Sequence, residues 1–469
     1  MRNLHYEKFA DGSVKCIEDE IPFELPDGWL WVRLNSIADM ALGKMLDVAK
    51  NKGSLKPYLR NINVRWGAFD LSDTLEMRFE DNELERYSIN YGDLVICEGG
   101  EPGRCAVWQS EEVVFYQKAL HRVRAIQVLP EYLYYVIRHF IVSSQYERYY
   151  TGTTIKHLTG QSLRILPIPL PPLREQKLIV EHLQHIIKEI DKIETGKAEV
   201  LSLVSLAKEK ILDLAIRGQL LPQNPVDEPA SVLLERIRTE KEELIRQGKI
   251  KRDKKKSVIF RGEDNSYYEK IGSVVICIDE EVPFEIPDTW EWMRLESCCI
   301  KEIRRGKSPK YIDESGTLVF AQKCNTKYSG IDVGLALFLD ESTLGRYPDD
   351  EYMHDGDVVI NSTGTGTLGR VGIYHATDNH LGLPIIPDSH VTVIRATPSI
   401  QAFYMYAFMK ANQSELEKKG EGSTNQKELK PLTLKEMLIP IPPYSEQERI
   451  VYALTAAFST ISVIEKSLN

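Results

Sequence analysis

The stretch IPLPPLREQKLIV, residues 168–180, recurs as IPIPPYSEQERIV at residues 439–451, 271 positions later. Both copies place a run of prolines directly before a helical pattern. Proline fixes φ and donates no backbone hydrogen bond, so these prolines cannot lie inside the helix that follows. The motif therefore predicts the end of a folded domain and the start of a helix at two places in the chain.

Two further pairs of segments show that a whole domain is duplicated. EIPFELPDGWLWVRL at 20–34 recurs as EVPFEIPDTWEWMRL at 281–295, and GDLVI at 92–96 recurs as GDVVI at 356–360. The order is kept while the offset grows from 261 to 271 residues. A repeat of this kind decides the fold before any local pattern is considered. We expect a duplicated domain with about ten additional residues in the second copy.

The two copies diverge between these matching segments. KPYLRNINVRWGAFDLSD at 56–73 stands where the second copy has LVFAQKCNTKYSGIDVG at 318–334. A shared framework with different middle parts is expected if each copy presents its own recognition surface. Short apolar runs such as DLVIC and CAVW, broken by glycine and polar residues, predict strands and turns. The aromatic-rich stretch at 131–150 predicts a helix late in the first copy.

The clearest periodic signal follows the first proline motif. Apolar residues alternate at spacings of four and three from Ile179 to Leu214, with one interruption at Lys197. This period predicts a coiled-coil helix, and about 40 residues at 1.5 Å each would span roughly 60 Å. The second copy repeats the register from Ile450 to Leu468 and predicts a shorter helix. Residues 227–248 predict another amphipathic helix.

The predicted fold class is therefore α+β, with two pseudo-symmetric strand-rich domains separated by long antiparallel coiled-coil helices. The predicted domains are a first recognition domain at 1–172, a central coiled-coil spacer and linker at 173–262, a second recognition domain at 263–443 and a shortened C-terminal helix at 444–469.

Composition is that of a globular, intracellular protein. The chain has 469 residues, 42% hydrophobic and 27% charged, which fits two or three domains. No apolar run reaches about 18 residues and no signal peptide opens the chain, so we expect no membrane association. Seven cysteines without a CxxC pair favour neither a disulfide framework nor a zinc site.

The charge of the chain gives evidence both against and for binding of nucleic acid. A net charge of -10 argues against DNA binding, because phosphate neutralisation by lysine and arginine supplies most non-specific affinity. The run 301–310 nevertheless holds five basic residues and one acid, so a basic face remains open, with a solvated loop as the alternative. KIKRDKKK at 249–256 predicts an exposed linker, with nucleic-acid contact as the alternative.

Three motifs that resemble catalytic or cofactor-binding sites each lack a feature that such a site requires. Gly364, Gly366 and Gly369 have GxGxxG spacing, but a strand pattern follows them where a dinucleotide site needs a helix, so we expect a glycine-rich hairpin. IPPY at 441–444 lacks the leading Asn, Asp or Ser of an amino-methyltransferase motif. His121 and His390 stand at matching positions in the copies, and we expect them to make structural or polar contacts. The sequence predicts neither a catalytic residue nor a metal site.

Three features carry a resemblance to a known family: the pair LPDGWLWVRL and IPDTWEWMRL, the pair IPLPPLREQ and IPIPPYSEQ, and the central KEKILDLAIRGQLLPQNPVDEPASVLLERI. Together they closely resemble the specificity (S) subunit of Type I restriction-modification enzymes. The resemblance covers nearly the whole chain. It implies that each variable domain is a target recognition domain that reads half of a split DNA site. The helices would act as spacer and as docking surface for partner subunits.

The resemblance also implies the partners and the chemistry. The expected partners are double-stranded DNA, two DNA methyltransferase (M) subunits and restriction (R) subunits, in a prokaryotic cytoplasm. The chain itself would be a non-catalytic recognition subunit, with S-adenosylmethionine, ATP and Mg on the partner subunits. Half-sites about one helical turn apart, roughly 34 Å, would suit a rigid helical spacer.

Candidate DNA-binding residues come from the polar loops, because arginine suits guanine while asparagine and glutamine suit adenine. The alternative for each is a polar side chain that satisfies backbone groups. The candidates in the first copy are Arg60, Asn61, Asn63, Arg65, Glu98, Arg104, Thr153, Thr154 and Lys156. Those in the second copy are Arg304, Arg305, Lys307, Asn325, Lys327, Asn361, Thr363, Arg370, Ser423, Thr424 and Gln426.

Two rival functions follow from the same sequence. A nuclease or methyltransferase would need a carboxylate cluster for metal or a cofactor loop, and the sequence offers no pattern for either. A coiled-coil adaptor with two β-rich protein-binding modules and no DNA specificity is the other alternative. The salt dependence of DNA binding separates this adaptor from a DNA-reading protein.

Overall fold

The computed structural model describes residues 4–47, 49–250, 257–327, 330–421 and 427–468. Contacts within the chain divide it into two compact units, Met1–Glu194 (unit 1) and Thr195–Asn469 (unit 2). The division falls inside the longest helix, so the four segments expected from the sequence stay a prediction. Most of the basic linker at 249–256 and the loop residues Ser423, Thr424 and Gln426 lie outside the described residues.

Unit 1 is rich in short strands and contains the start of the long helix α3. Its strands are β1 (Tyr6–Lys8), β2 (Val14–Cys16), β3 (Leu30–Arg33), β4 (Ala38–Leu42), β5 (Ser54–Leu59), β6 (Val64–Arg65), β7 (Ala68–Phe69), β8 (Leu75–Phe79), β9 (Ser88–Ile89), β10 (Leu94–Cys97), β11 (Cys105–Val107), β12 (Val114–Tyr116), β13 (Leu120–Ala125) and β14 (Pro167–Leu170). Its helices are α1 (Pro130–Val142), α2 (Gly160–Arg164) and the first part of α3 (Leu173–Ile216).

The core of unit 1 lies on both faces of one antiparallel sheet, ordered β11-β10-β13-β4. Leu94 and Ile96 of β10 pack with Ile137 of α1. Val95, between them, faces the other way and packs with Tyr116 of the second sheet, which is ordered β8-β5-β12-β9, with β12 parallel to β5. Since successive side chains of a strand point to opposite faces, burial on both sides explains why LVIC at 94–97 is continuously apolar.

Unit 2 contains the second copy together with the end of α3. Its strands are β15 (Ser257–Arg261), β16 (Tyr267–Ile271), β17 (Val274–Cys277), β18 (Glu291–Arg294), β19 (Tyr311–Ile312), β20 (Leu318–Phe320), β21 (Leu337–Leu339), β22 (Val358–Asn361), β23 (Val371–Ile373), β24 (Ile385–Pro387), β25 (Val391–Ile394) and β26 (Leu438–Ile441). Its further helices are α4 (Ala230–Arg246), α5 (Ala402–Ala411), α6 (Gln413–Lys418), α7 (Pro431–Lys435) and α8 (Tyr444–Leu468).

Unit 2 repeats the arrangement of unit 1. The sheet β23-β22-β25 packs on α5, as Ile360 and Phe408 show. The opposite face of β22 carries Val359, which packs with Phe320 of a second sheet; there β20 is parallel to β24, as β5 is to β12. The glycine-rich segment after β22 is a hairpin to β23, as the sequence predicted. The prediction of an α+β fold with two strand-rich domains and a long helix is confirmed.

The proline motif is a strand as well as a helix start. Helices begin at Leu173 and Tyr444, as predicted. The prolines before them form β14 and β26, which the sequence analysis missed. β14 is antiparallel to β3, with Pro169 opposite Trp31, and β26 is antiparallel to β18 in the same register. Proline is tolerated here because each is a two-stranded ribbon whose outer edge needs no donor.

A buried glutamine fixes the direction of each helix where it leaves its sheet. Gln176 donates from Nε2 to the Pro171 carbonyl at 2.9 Å and accepts from the Leu129 backbone N–H at 3.0 Å. Gln447 makes the same two bonds at the start of α8, at 3.1 and 2.9 Å. Both glutamines are buried. Each helix is therefore attached to the strand before it and to the loop before α1 or α5.

Within unit 2, α8 runs antiparallel to the end of α3. Lys208 of α3 donates to Glu465 near the end of α8 at 2.7 Å. Gln223, just beyond α3, donates to Glu446 at the start of α8 at 2.6 Å. Leu454 of α8 packs in the core with Leu212 of α3. The predicted coiled-coil helix, the amphipathic helix α4 and the shorter C-terminal helix are all present.

Candidate nucleic-acid interface

Three loops of unit 1 meet where β10 turns into β11, in the sheet ordered β11-β10-β13-β4. We call them the unit 1 loop cluster. They are the loop 60–63 after β5, the hairpin 98–104 and the loop 151–158. Asn61 donates from Nδ2 to the Gly99 carbonyl at 2.7 Å. The Leu158 backbone N–H donates to the Glu98 carbonyl at 2.7 Å. Candidate residues from three separate stretches of sequence are therefore brought together.

The equivalent loops of unit 2 meet in the same way and form the unit 2 loop cluster. They are the loop 322–327, the hairpin 362–370 and the described parts of the loop 421–429. Asn361 donates to the Gln322 carbonyl at 3.1 Å. The Leu429 N–H donates to the Ser362 carbonyl at 2.9 Å. The duplicated framework thus supports one polar surface in each unit.

Arg104 and Arg370 hold their clusters together. Arg104 donates from Nη2 to the Asn61 carbonyl at 2.9 Å, and Arg370 donates from Nη1 to the Asn325 carbonyl at 2.8 Å. Residues that read two different half-sites should differ between the units, whereas these arginines occupy equivalent positions and each donates to a backbone carbonyl of the loop after β5 or β20. We therefore assign Arg104 and Arg370 to the shared framework.

Lys307 belongs to the framework for the same reason. Its ammonium contacts the buried Glu351 carboxylate at 3.1 Å and the Arg346 carbonyl. Lys44 in unit 1 contacts Glu83 and the carbonyl of Arg78 in the same pattern. The sequence analysis missed Lys44, although the Gly-Lys pair at 43–44 and again at 306–307 was the available signal.

Glu351 also explains much of the basic run at 301–310. Lys301 lies 3.7 Å from Glu351, and Arg304 donates to the same carboxylate. Burial alone would raise the pKa of Glu351, but hydrogen bonds from Arg304 and Lys307 outweigh it and lower the pKa. The basic face that the sequence left open for this run is thus largely neutralised by a buried acid.

The remaining cations of the run also have acidic partners. Arg305 contacts Glu428 of the loop cluster at 3.1 Å, and Lys310 contacts Asp340 at 2.6 Å. Arg305 has Leu42 as its counterpart in unit 1, so its chemistry differs between the units. It remains a candidate for DNA contact, as does Arg304, whose guanidinium is partly exposed.

Three asparagines expected at the DNA surface are buried instead. Asn63 accepts from the Arg60 N–H and donates to the carbonyls of Asp70 and Asp73. Asn325 donates to the Arg370 carbonyl, and Asn361 is fully buried beside it. The prediction that Asn63, Asn325 and Asn361 read bases is corrected, because their amides already satisfy backbone groups inside the fold.

The exposed candidates of unit 1 lie at the edge of its loop cluster. Arg65 and Lys156 are exposed, each with one acidic partner at more than 3 Å. Thr153 and Thr154 are exposed, and Glu98 is partly exposed. Arg60 is less available, because it donates to both the carbonyl and the carboxylate of Asp73.

Three buried polar atoms of the unit 1 loop cluster lack a hydrogen-bond partner. They are Arg60 Nε, Asn61 Oδ1 and Arg104 Nε, three of the ten such atoms among the described residues. In unit 2, Lys327 is exposed, and Thr363 Oγ1 lies 2.7 Å from His390 Nδ1.

The strand register corrects the match between His121 and His390. His121 lies opposite Ile96, and Thr392 lies opposite Ile360, the counterpart of Ile96 in the repeat. Thr392 therefore corresponds to His121. Burial lowers the pKa of His121, whose Nε2 lies 3.0 Å from the Leu158 carbonyl. Each histidine contacts its loop cluster, as a structural or polar role requires.

One group of possible metal ligands, His5, Glu18 and Glu24, lies in unit 1. The His5 backbone N–H donates to Glu18 at 3.0 Å, and the Tyr267 N–H donates to Asp279 at 2.9 Å in unit 2. Because the contact persists with tyrosine in place of histidine, we assign Glu18 to the framework. None of the described helices combines the length and apolar character needed to cross a membrane.

Comparison with known proteins gives the same duplicated pattern. Residues 26–203 and 287–469 each match the family model described as the Type I restriction modification DNA specificity domain. The chain belongs to this family. The two matched regions contain the two loop clusters, so two recognition domains of this family stand in one chain.

Curated members of the family are similar over different lengths. The chain is 30% identical over 307 residues to the Type I restriction enzyme EcoAI specificity subunit of Escherichia coli, which covers 62% of this chain and 46% of that protein. It is 23% identical to the EcoEI specificity subunit of Escherichia coli, over 97% of this chain and 82% of that protein. The chain thus spans less than half of the EcoAI subunit.

Solved structures show the same fold. A structure from a study of complex assembly in the type I R-M system aligns with a TM-score of 0.61 at 18% identity, over 95% of this chain and 94% of that chain. The crystal structure of the HsdS subunit from Thermoanaerobacter tengcongensis aligns with a TM-score of 0.54 at 18% identity, over 96% and 94%. The specificity-domain fold therefore extends over nearly the whole chain.

Proposed function

We propose that this chain is the DNA-specificity subunit of a Type I restriction-modification complex, in which each unit reads one half of a bipartite DNA site. The observation that carries the proposal is the pair of specificity-domain matches, each containing a loop cluster built on the same framework. The exposed side chains of the two clusters differ, as two different half-sites require.

The proposed readers are the candidates that are at least partly exposed and were not assigned to the framework, together with the candidates outside the described residues. In unit 1 these are Asn61, Arg65, Glu98, Thr153, Thr154 and Lys156, with Arg60 at the margin. In unit 2 they are Arg304, Arg305, Lys327 and Thr363, together with Ser423, Thr424 and Gln426 of the segment outside the described residues. Methyl transfer and ATP-driven cleavage would reside in M and R subunits recruited by this chain, with S-adenosylmethionine, ATP and Mg bound there.

Sequencing of methylated DNA from cells that express the chain with its methyltransferase partner tests the half-site assignment. We expect Arg65→Ala to relax or abolish reading of one half-site only, and Arg305→Ala to affect only the other. A good base contact is worth about 1–3 kcal/mol of discrimination. Lys192→Ala, which removes an exposed cation from α3, is the matched control and should leave both halves unchanged. Identical motifs in all variants would contradict the assignment.

The long helix is proposed to set the distance between the half-sites. Four residues inserted in α3 add about 6 Å, nearly two base-pair steps of 3.4 Å. We expect the methylated motif to gain one or two base pairs of spacer while both half-sites stay the same. An unchanged spacer would show that α3 does not set the distance.

DNA binding at two salt concentrations tests the class of function. A protein that neutralises several phosphates loses affinity steeply as salt rises. We expect this loss with a DNA fragment that carries the methylated motif. Absence of DNA binding at low salt would favour the protein-binding adaptor instead.

A further inference from the structure

An exposed isoleucine lies among the polar residues of the unit 1 loop cluster. Ile155, in the loop 151–158, is 64% exposed, and its neighbours Thr154 and Lys156 are exposed as well. The candidate residues predicted from the sequence are all polar and do not include Ile155. A single exposed apolar side chain is ordinary on a protein surface, so its position decides whether it has a use.

The loop that carries Ile155 is held at both of its ends. The backbones of Thr151 and His157 exchange two hydrogen bonds, of 2.9 and 2.8 Å, which close the loop at its base. The next residue, Leu158, is buried, and its N–H donates to the Glu98 carbonyl of the cluster's hairpin at 2.7 Å. The loop is therefore fixed against the hairpin that carries other proposed readers.

A glycine fixes the backbone beside Ile155. Gly152 has a φ of +90°, which favours glycine, and a Cβ there would overlap the Ile155 carbonyl oxygen. The backbones of these two residues thus touch across a tight turn. Because the turn and the closed base both hold the backbone, the loop presents the Ile155 side chain to solvent at a defined place.

The second copy of the repeat has a different side chain at this position. Leu429 stands 271 residues after Leu158, and its N–H donates to the hairpin of unit 2 in the same way. The same offset places Gln426, which lies outside the described residues, at the position of Ile155. Framework residues match between the units, whereas this pair differs in chemistry. Ile155 therefore meets the condition that a reader of one half-site should differ from its counterpart.

An aliphatic side chain can distinguish one group on the base edges of DNA. In the major groove the four bases present hydrogen-bond donors and acceptors, and thymine also presents a C5 methyl group. Isoleucine gains by covering this methyl group, but it loses by covering a donor or acceptor that is then cut off from water. Glutamine, the residue of the second copy, suits adenine instead.

We propose that Ile155 contacts the C5 methyl group of a thymine in the half-site that unit 1 reads, and so selects thymine at one position. This rests on the proposed function, because unit 1 must bind DNA through its loop cluster. The contact would add an apolar element to the polar readers already proposed for that cluster.

Uracil tests the contact, because it differs from thymine only in lacking the C5 methyl group. The full chain with its methyltransferase partner is titrated with DNA duplexes that carry the methylated motif. Each thymine of both half-sites, on either strand, is replaced in turn by uracil. We expect one replacement to weaken binding about fourfold, which corresponds to the loss of one buried methyl group.

Variants of the chain show whether Ile155 is responsible. Ile155→Ala should bind the thymine and uracil duplexes equally, whereas Ile155→Val keeps a branched aliphatic side chain and should retain most of the difference. Ile126→Ala is the matched control. Ile126 is 54% exposed and follows β13 at the end of the sheet opposite to the loop cluster, so this variant should keep the full difference.

The outcomes separate this proposal from the proposed function. Uracil without effect at every position would overturn the thymine contact, and so would a uracil effect that persists in Ile155→Ala. If that effect disappeared in Ile62→Ala instead, the contact would belong to Ile62, a second exposed isoleucine of the cluster. In each case the proposed function stands as long as the complex prefers its motif to other DNA. If it binds no DNA, the proposed function fails and the thymine contact fails with it.

Discussion

Replacing Glu351 by glutamine should destabilise unit 2 far more than an ordinary charge removal. The Glu351 side chain is 2% exposed, and three cations, Lys301, Arg304 and Lys307, contact its carboxylate. Glutamine keeps the shape but removes the buried anion that these cations share, two of them partly and one almost fully buried. Breaking a buried ion pair by removing one partner costs about 3–5 kcal/mol.

Glu421→Gln is the matched control in the same unit. Glu421 pairs with Lys430, and both side chains are more than half exposed. Exposed pairs contribute about 0–1 kcal/mol, so this variant should be close to the parent protein in stability. The comparison holds the chemical change constant and varies only burial and the number of cations.

Hydrogen exchange of β22 measures the effect, since this strand lies in the core of unit 2. A loss of about 3 kcal/mol would lower its protection by a factor of about 100. Because the pKa of Glu351 is lowered in the fold, its contribution is present above the ordinary pKa of 4.5 and is lost as pH falls through the folded value. The difference from the parent should therefore shrink in acid. Equal protection in Glu351→Gln and Glu421→Gln at neutral pH would refute the reasoning.

Three further outcomes are expected. Asn361→Ala should lower the free energy of unfolding of unit 2 by about 1–3 kcal/mol in thermal melts, with the methylated DNA motif unchanged, because its buried amide serves the fold. Gly218→Ala should lower the melting temperature, since φ is positive and the added methyl group meets its neighbours. In mass spectrometry after alkylation, exposed Cys16 and Cys277 should react, whereas Cys97, whose pKa burial raises to about 11, should react only after unfolding.

Local patterns in the sequence were sufficient for the elements and their duplication. The alternation of apolar residues after Ile179 depends on a helical period, and a helix forms from contacts between near neighbours. The repeat then carried the strand and helix assignments from one unit to the other, although it matched His121 with His390, where the strand register matches His121 with Thr392. The strand formed by the proline motif was missed, because pairing of Pro169 with Trp31 joins residues far apart in the chain.

The candidate site was predicted less well, because burial depends on distant partners. The sequence made Lys307 a candidate for DNA binding, but in the fold its ammonium contacts Glu351, 44 residues away. Asn325 and Asn361 looked like readers of adenine until their amides were found inside the core. Comparison of the two units separates framework residues from candidate readers of DNA. A polar residue that makes the same kind of contact in both units is assigned to the framework.

The hydrogen bonds of Gln176 make α3 move together with the sheet that precedes it. Gln176 ties the first turn of the helix to Pro171 and to the loop before α1, so a tilt of unit 1's sheet must carry the helix with it. With 44 residues at 1.5 Å each, α3 is about 66 Å long. A tilt of about 5° at the joint would displace its far end by roughly 6 Å. The rigidity of the Gln176 hydrogen bonds therefore limits how far the end of α3 moves when the helix tilts at its first turn.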